Sequence, residues 1–278
     1  MSSSWPTLGL SSYIFRWAVG TRSFRPPQPA DAFSLLEKAC ALGVQSVQFS
    51  DNLPLHPLTP AERRRLLRLA EDLGLAIGLG ITGLEPVNLK QYLEMGSELG
   101  VGFLRLVPGT TDPAALESTI RQLLPTAHSL AVGIALETHA DLRTSQLAQV
   151  VRSIDDSLVR ICLDTANSLG QLELPSEFIP ALAPLAVQLH LKDYAVEPME
   201  IGHHITGRPL GEGRLDLEMV RQSLLAGGSR PEVLLELWTD PADTVEATLV
   251  KEQVWTERSV RRAREWLKGL ALTDGGAL

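Results

Sequence analysis

From Val159 to Tyr194 the chain reads VRICLDTANSLGQLELPSEFIPALAPLAVQLHLKDY, and two apolar runs in it stop abruptly. Val159 to Leu163 ends at Asp164, and Leu185 to Leu189 ends at His190. Nearly continuous apolar runs of this length are the pattern of parallel strands covered on both faces, because strands with one wet face alternate polar and apolar residues. Parallel strands need crossover helices between them, so this pattern restricts the chain to the α/β folds. It recurs on either side: VGIALETH ends its run at Glu137, and PEVLLELW places Glu236 near the end of another.

The rest of the chain repeats the unit. Leu8 to Ser12 reads as a first strand, and Phe33, Leu36 and Cys40 mark the inner face of a first helix that stops at Gly43. Val44 to Phe49 is the second strand, followed by a capping box at Thr59-Pro60-Ala61-Glu62 and a stripe of Leu66, Leu69, Ala70 and Leu73. Leu75 to Leu79 and Gly102 to Val107 are the third and fourth strands, separated by a helical face of Leu89, Tyr92, Leu93 and Gly96. A helix opened by Asp112-Pro113 leads to the strand ending at Glu137, and Leu217, Val220 and Leu224 precede the eighth strand, Glu232 to Leu235. Eight such units predict a single (β/α)8 barrel over residues 1–278, a fold that keeps its chemistry at the C-terminal ends of its strands. Gly211-Glu212-Gly213 follows a long loop instead of a strand and lacks a third glycine, so it is a turn and not a dinucleotide cradle.

Several function classes are disfavoured. A formal net charge of −8 argues against a general polyanion-binding surface, and Arg63 to Arg65 and Arg261, Arg262 and Arg264 fall on outer helices, where a solvated face explains them; no nucleic-acid partner is expected. The first residues lack the basic and apolar regions of a secretory signal, and no later run is long enough to span a bilayer, so a cytoplasmic protein with no membrane partner is expected. Cys40 and Cys162 have no metal-ligand spacing and read as packing residues.

An acidic residue after a strand is commonly a helix N-cap, but Glu137, Asp164, His190 and Glu236 stand at the same end of successive strands. Three carboxylates and one imidazole suit one divalent ion, Mn²⁺ or Mg²⁺, with Zn²⁺ or Co²⁺ as further options. A cation chelated by a carbonyl and a neighbouring hydroxyl acidifies the intervening C–H and stabilises an enediolate. Glu137 and Glu236, approaching opposite faces of it, are then the expected acid/base pair: returning the proton to the other face inverts a centre, and returning it to the next carbon isomerises an aldose to a ketose. Lys192, His139 and Asn167 are placed to contact substrate, Tyr13 and Trp17 to wall its pocket, and Arg208 to reach it from the long insertion Val196 to Leu210, which reads as a covering loop. Asp193 reads as a structural cap.

IALETH, CLDTANSLG, VQLHLKDY, RPLGEGRLDLEMV and VLLELW together resemble the xylose isomerase-like sugar isomerase/epimerase barrels, over nearly the whole chain. The resemblance implies a metal at Glu137, Asp164, His190 and Glu236, a sugar or polyol substrate, and often a homodimer. The apurinic endonuclease-like barrels share the fold but need extra histidines; here Val107-Pro108-Gly109 and Asn167 stand where those enzymes carry them. A mononuclear-metal dehydratase of a keto-inositol or dehydroshikimate type is the alternative, with a non-catalytic sugar-binding protein ranked below it. No glycine cluster or paired arginines announce a phosphate site.

Overall fold

The computed structural model describes residues 7–274; Met1 to Pro6 and residues 275–278, which the single-domain reading includes, lie outside the described residues. Eight parallel strands close into a barrel. In chain order they are β1 (Leu8–Ser11), β2 (Ser46–Phe49), β3 (Ala76–Thr82), β4 (Phe103–Val107), β5 (Gly133–Glu137), β6 (Val159–Asp164), β7 (Ala186–Leu191) and, after a hairpin, β10 (Glu232–Leu235), which pairs with both β7 and β1. The (β/α)8 expectation therefore holds. Its physical basis is visible in the burial: β1, β2 and β5 are buried at every position, as doubly covered strands must be.

The helices that cover the barrel are set by local sequence. Helix α3 (Pro60–Asp72) begins at the capping box, with Glu62 N donating to Thr59 Oγ1 at 3.3 Å and Thr59 N donating to Glu62 Oε2 at 2.8 Å. It is released at Gly74, whose φ of 69° would strain any side chain. Helix α2 (Ala32–Ala41) has a second box, Asp31 with Ser34, and helix α9 (Val245–Asp274) closes the ring. No described helix is long and apolar enough to cross a membrane.

Two local readings change. Strands β6 and β7 run further than their apolar cores suggest, so Asp164 and His190 belong to the strands themselves and face each other across the ladder. The insertion at 196–210 is not an irregular loop: Asp193–Pro198 (β8) and His203–Arg208 (β9) form an antiparallel hairpin. Asp193 anchors it from within, accepting from Gly211 N at 2.8 Å, Gly213 N at 2.9 Å and Leu215 N at 3.0 Å, which gives the Pro-Leu-Gly-Glu-Gly segment a structural purpose. Gly207 lets the hairpin lie flush on the segment after β10, since a Cβ there would meet Trp238 O at 1.9 Å.

Candidate active site and metal centre

Glu137 and Asp164 are the last residues of β5 and β6, His190 is the penultimate residue of β7, and Glu236 follows β10 directly. All four side chains are buried. His190 Nδ1 lies 3.3 Å from Glu236 Oε2, 3.6 Å from Glu137 Oε1 and 3.8 Å from Asp164 Oδ2. Donor atoms shared by one ion at roughly 2.0–2.6 Å stand about 3–5 Å apart, so the spacing suits a cation between His190 and the carboxylates; Asp164, His190 and Glu236 form one mutually close group, and Glu137 forms another with His190 and Cys162.

The way each side chain is anchored strengthens that fit. Asp164 Oδ1 accepts from Ala166 N at 2.8 Å and Asn167 N at 2.7 Å, the ordinary capping role, which aims Oδ2 elsewhere. His190 Nε2 and Gln48 Oε1 are 2.8 Å apart; an ion bound at Nδ1 would leave the proton on Nε2, where Gln48 accepts it, whereas without the ion, and against the effect of burial, Glu137 and the other groups around the ring hold the imidazole well above its ordinary range. Glu236 Oε1 lies 2.6 Å from Lys192 Nζ. The three remaining atoms, Asp164 Oδ2, His190 Nδ1 and Glu236 Oε2, are buried without a hydrogen bond, although the Lys192 ammonium stands 3.0 Å from the first, and these residues form a group whose donor atoms lie within 4.8 Å of one another. Buried polar atoms without partners are costly, and three converging on one point are what a cation site leaves when protein atoms alone are counted. The residues present can hold a divalent ion.

Two cations brace the cluster. Lys192 Nζ, buried over the Trp238 ring at 5.0 Å, contacts Glu236, lies 3.0 Å from Asp164 Oδ2 and donates to Asn167 Oδ1 at 3.0 Å. Arg105, which sequence reasoning missed, donates through Nε to Glu137 Oε2 and through Nη1 to Asp51 Oδ2 at 3.1 Å. The signal was present: an arginine inside FLRLV, on a strand covered on both faces, must find buried carboxylates. Gln48 in SVQF is a second polar residue of the same kind. Burial pushes the Glu137 carboxyl up, but Arg105, His190 and Lys192 outweigh it and hold the group well below the ordinary carboxylate range. Burial likewise pushes Asp164 up, and there Lys192 does not fully compensate.

A cavity of about 280 Å³ opens onto this cluster. Tyr13, His139, Asn167 and Lys192 line it, together with Arg16, Asp51, Arg105, Asp141 and Trp238. Asn167 also donates to Glu137 Oε1 at 2.8 Å, so it braces Glu137 as well as facing the cavity. Two residues are not brought to it. The Trp17 indole donates to Thr239 O at 2.6 Å and packs edge-on against Phe24, and Arg208 pairs with Glu197 across the hairpin. Both are tied up by local partners that the linear pattern does not reveal. A larger groove of about 800 Å³ lies between α2 and α9 on the outer wall, lined by none of the four strand-end residues.

Residues 36–270 match the family model described as xylose isomerase-like TIM barrel. The chain is 32% identical over 259 residues to the 3-oxo-isoapionate decarboxylase of Pectobacterium atrosepticum, covering 91% of this chain and 93% of that protein. Among solved structures it is similar to D-psicose 3-epimerase with D-tagatose from Clostridium cellulolyticum H10, at 15% identity and a TM-score of 0.72 over 94% of this chain and 99% of that one. A xylose isomerase-like TIM barrel protein from Mycobacterium smegmatis, in complex with magnesium, is similar at 16% identity and a TM-score of 0.67 over 93% and 99%. The chain belongs to the xylose isomerase-like TIM barrel family.

Proposed function

We propose that this protein is a divalent-metal-dependent decarboxylase of a 3-oxo acid derived from a sugar, with Glu137, Asp164, His190 and Glu236 holding the ion. Mn²⁺ and Mg²⁺ fit the oxygen-rich donor set best. The observation that carries the choice of reaction is the state of Glu137. Both its oxygens are engaged, one by Arg105 and one by Asn167, and its carboxyl is held in the ionised form. A carboxylate so stabilised is a good ligand and a poor base, whereas epimerisation by the two-glutamate route needs it to take and return a proton. Decarboxylation needs no base. The C–C bond to the carboxylate breaks, its electron pair moves toward the 3-oxo oxygen, CO₂ leaves, and one proton is delivered to carbon.

The ion, when bound, polarises the 3-oxo group and offsets the charge that develops there. This chain's residues supply the rest. Lys192 Nζ, buried at the cavity wall and held in place by Glu236 at 2.6 Å, is the fixed positive charge that faces the electron pair as it moves to the 3-oxo oxygen, and water at the open side of the cavity supplies the proton to carbon. Trp238 screens one face of Lys192 from water. The named activity of the Pectobacterium relative supports the reading. A second reading, ketose epimerisation or isomerisation, is favoured by the unpartnered Glu236 Oε2, which is free to act as a single base.

The two part cleanly in D₂O. Metal-loaded protein given 3-oxo sugar acids such as 3-oxo-isoapionate should release CO₂ and place one deuterium in the product. Deuterium exchange and epimer formation with a panel of ketoses, with no CO₂ from any 3-oxo acid, would transfer the assignment to the isomerase; loss of water with an enone product would transfer it to the dehydratase.

A further inference from the structure

Besides His139, three arginine and lysine side chains line the cavity, and two of them are spent. Arg105 is taken by Glu137 and Asp51, and Lys192 by Asp164 and Glu236. The third, Arg16, stands at the exposed rim of the cavity and forms no ion pair among the described residues; its guanidinium lies 5.2 Å from the Trp17 ring centroid. We infer that Arg16 is the residue that receives the carboxylate of an acidic substrate. This rests on the decarboxylase reading for the identity of the substrate.

The backbone around Arg16 is built to be rigid while its side chain is left reaching into solvent. Glu252, buried on α9, accepts from Trp17 N at 2.6 Å and from Ala18 N at 2.9 Å, and Gly20 N donates back to Arg16 O at 3.0 Å. The Trp17 indole adds the bond to Thr239 O on the segment after β10. A rigid root limits the ordering cost that a long side chain normally carries when it binds an anion, and the guanidinium fork matches a carboxylate in a bidentate pair.

Position also decides what such a pair does. A buried arginine would stabilise the carboxylate strongly and so oppose its loss as neutral CO₂. At the wet rim the pair is weak, so Arg16 selects and orients an acidic substrate without holding the carboxylate against cleavage. The expected signature is therefore in KM and not in kcat.

The test compares wild type with Arg16→Met and Arg16→Lys in the metal-loaded protein, using an unreactive aldonate and the alditol of the same carbon skeleton as probes. Aldonate binding by calorimetry should weaken about two- to five-fold in Arg16→Met, with Arg16→Lys intermediate and the difference shrinking at high salt. Alditol binding should not change. On a 3-oxo acid, KM should rise by the same factor with kcat within about two-fold. Unchanged aldonate binding would overturn the assignment, and so would an equal loss of alditol binding, which marks a structural role. Competition by inorganic phosphate as strong as that by the aldonate would also overturn it, by making Arg16 a phosphate site. Because the probes do not react, the outcome is independent of whether the protein decarboxylates.

Discussion

The barrel carries two layers of polar residues on the same strands, and they are opposite in character. At the N-terminal end Glu232 starts β10, with Gln188 of β7 and Ser46 of β2 beside it: Ser46 Oγ donates to Glu232 Oε1 at 2.5 Å and Gln188 Nε2 donates to Oε2 at 3.5 Å. Further along the same strands, Gln48 and His190, two residues on, and Glu236, four residues on and just past β10, form part of the candidate metal centre. The lower carboxylate has a donor on each oxygen. The upper carboxylates of Asp164 and Glu236 each keep one oxygen without a hydrogen bond, and so does one nitrogen of His190. A carboxylate in a strand is thus no guide to function by itself; what distinguishes the two ends is that the upper carboxylates keep an oxygen without a hydrogen bond, whereas in the lower layer it is the Gln188 amide oxygen that does.

The comparison breaks most decisively if the upper layer does not hold an ion. His190→Ala and Asp164→Ala should each lose the bound divalent metal and turnover with it, read by elemental analysis of purified protein; metal content unaffected by both would remove the site.

A smaller effect contrasts the layers directly. Gln48→Leu leaves the His190 ring without its orienting acceptor and should weaken metal affinity by about 10–100-fold. Glu232→Ala, two residues below His190's own level, should leave metal affinity unchanged and cost about 1–3 kcal/mol of stability in urea melts, because the buried Ser46 hydroxyl loses its acceptor. Equal loss of metal in the two variants would mean that the layers are not independent.

A separate effect comes from Glu252, a further buried carboxylate whose oxygens, like those of Glu232, both accept hydrogen bonds. Burial raises its carboxyl to about 7 from the ordinary 4.5, against the opposing pull of the Trp17 and Ala18 amides. The folded protein therefore binds this proton more tightly than the unfolded chain does. The stability it contributes is full below about pH 4.5 and is lost as the pH rises through 7. Glu252→Gln should flatten that part of the stability profile; an unaltered slope would show that the carboxyl titrates normally.

Much of this was legible in the chain. Period and burial dictate the barrel: a run such as GIAL has no face to give to water, and capping boxes such as Thr59 with Glu62 need only four consecutive residues to act. The strand-end positions of Glu137, Asp164, His190 and Glu236 follow from the same periodicity, since each stands where an apolar run stops, although Gln48, Arg105 and Gln188 show that a buried strand can also carry polar residues along its length. The hairpin at 193–208 was missed because its alternating, half-exposed strands resemble a polar loop until the antiparallel partner is known.

What only the tertiary structure decided is the pairing. Arg105 and Glu137 are 32 residues apart and Gln48 and His190 are 142 apart, so nothing local ties them. Trp17 and Arg208 read as available in the chain, yet Thr239 and Glu197 claim them, while Arg16, which the linear pattern does not single out, has no carboxylate partner among the described residues. A sequence fixes which residues can bind, since that depends on side-chain chemistry. Which of them remain unpaired depends on the distances that closing eight strands into one ring imposes, and those exist only in the folded chain.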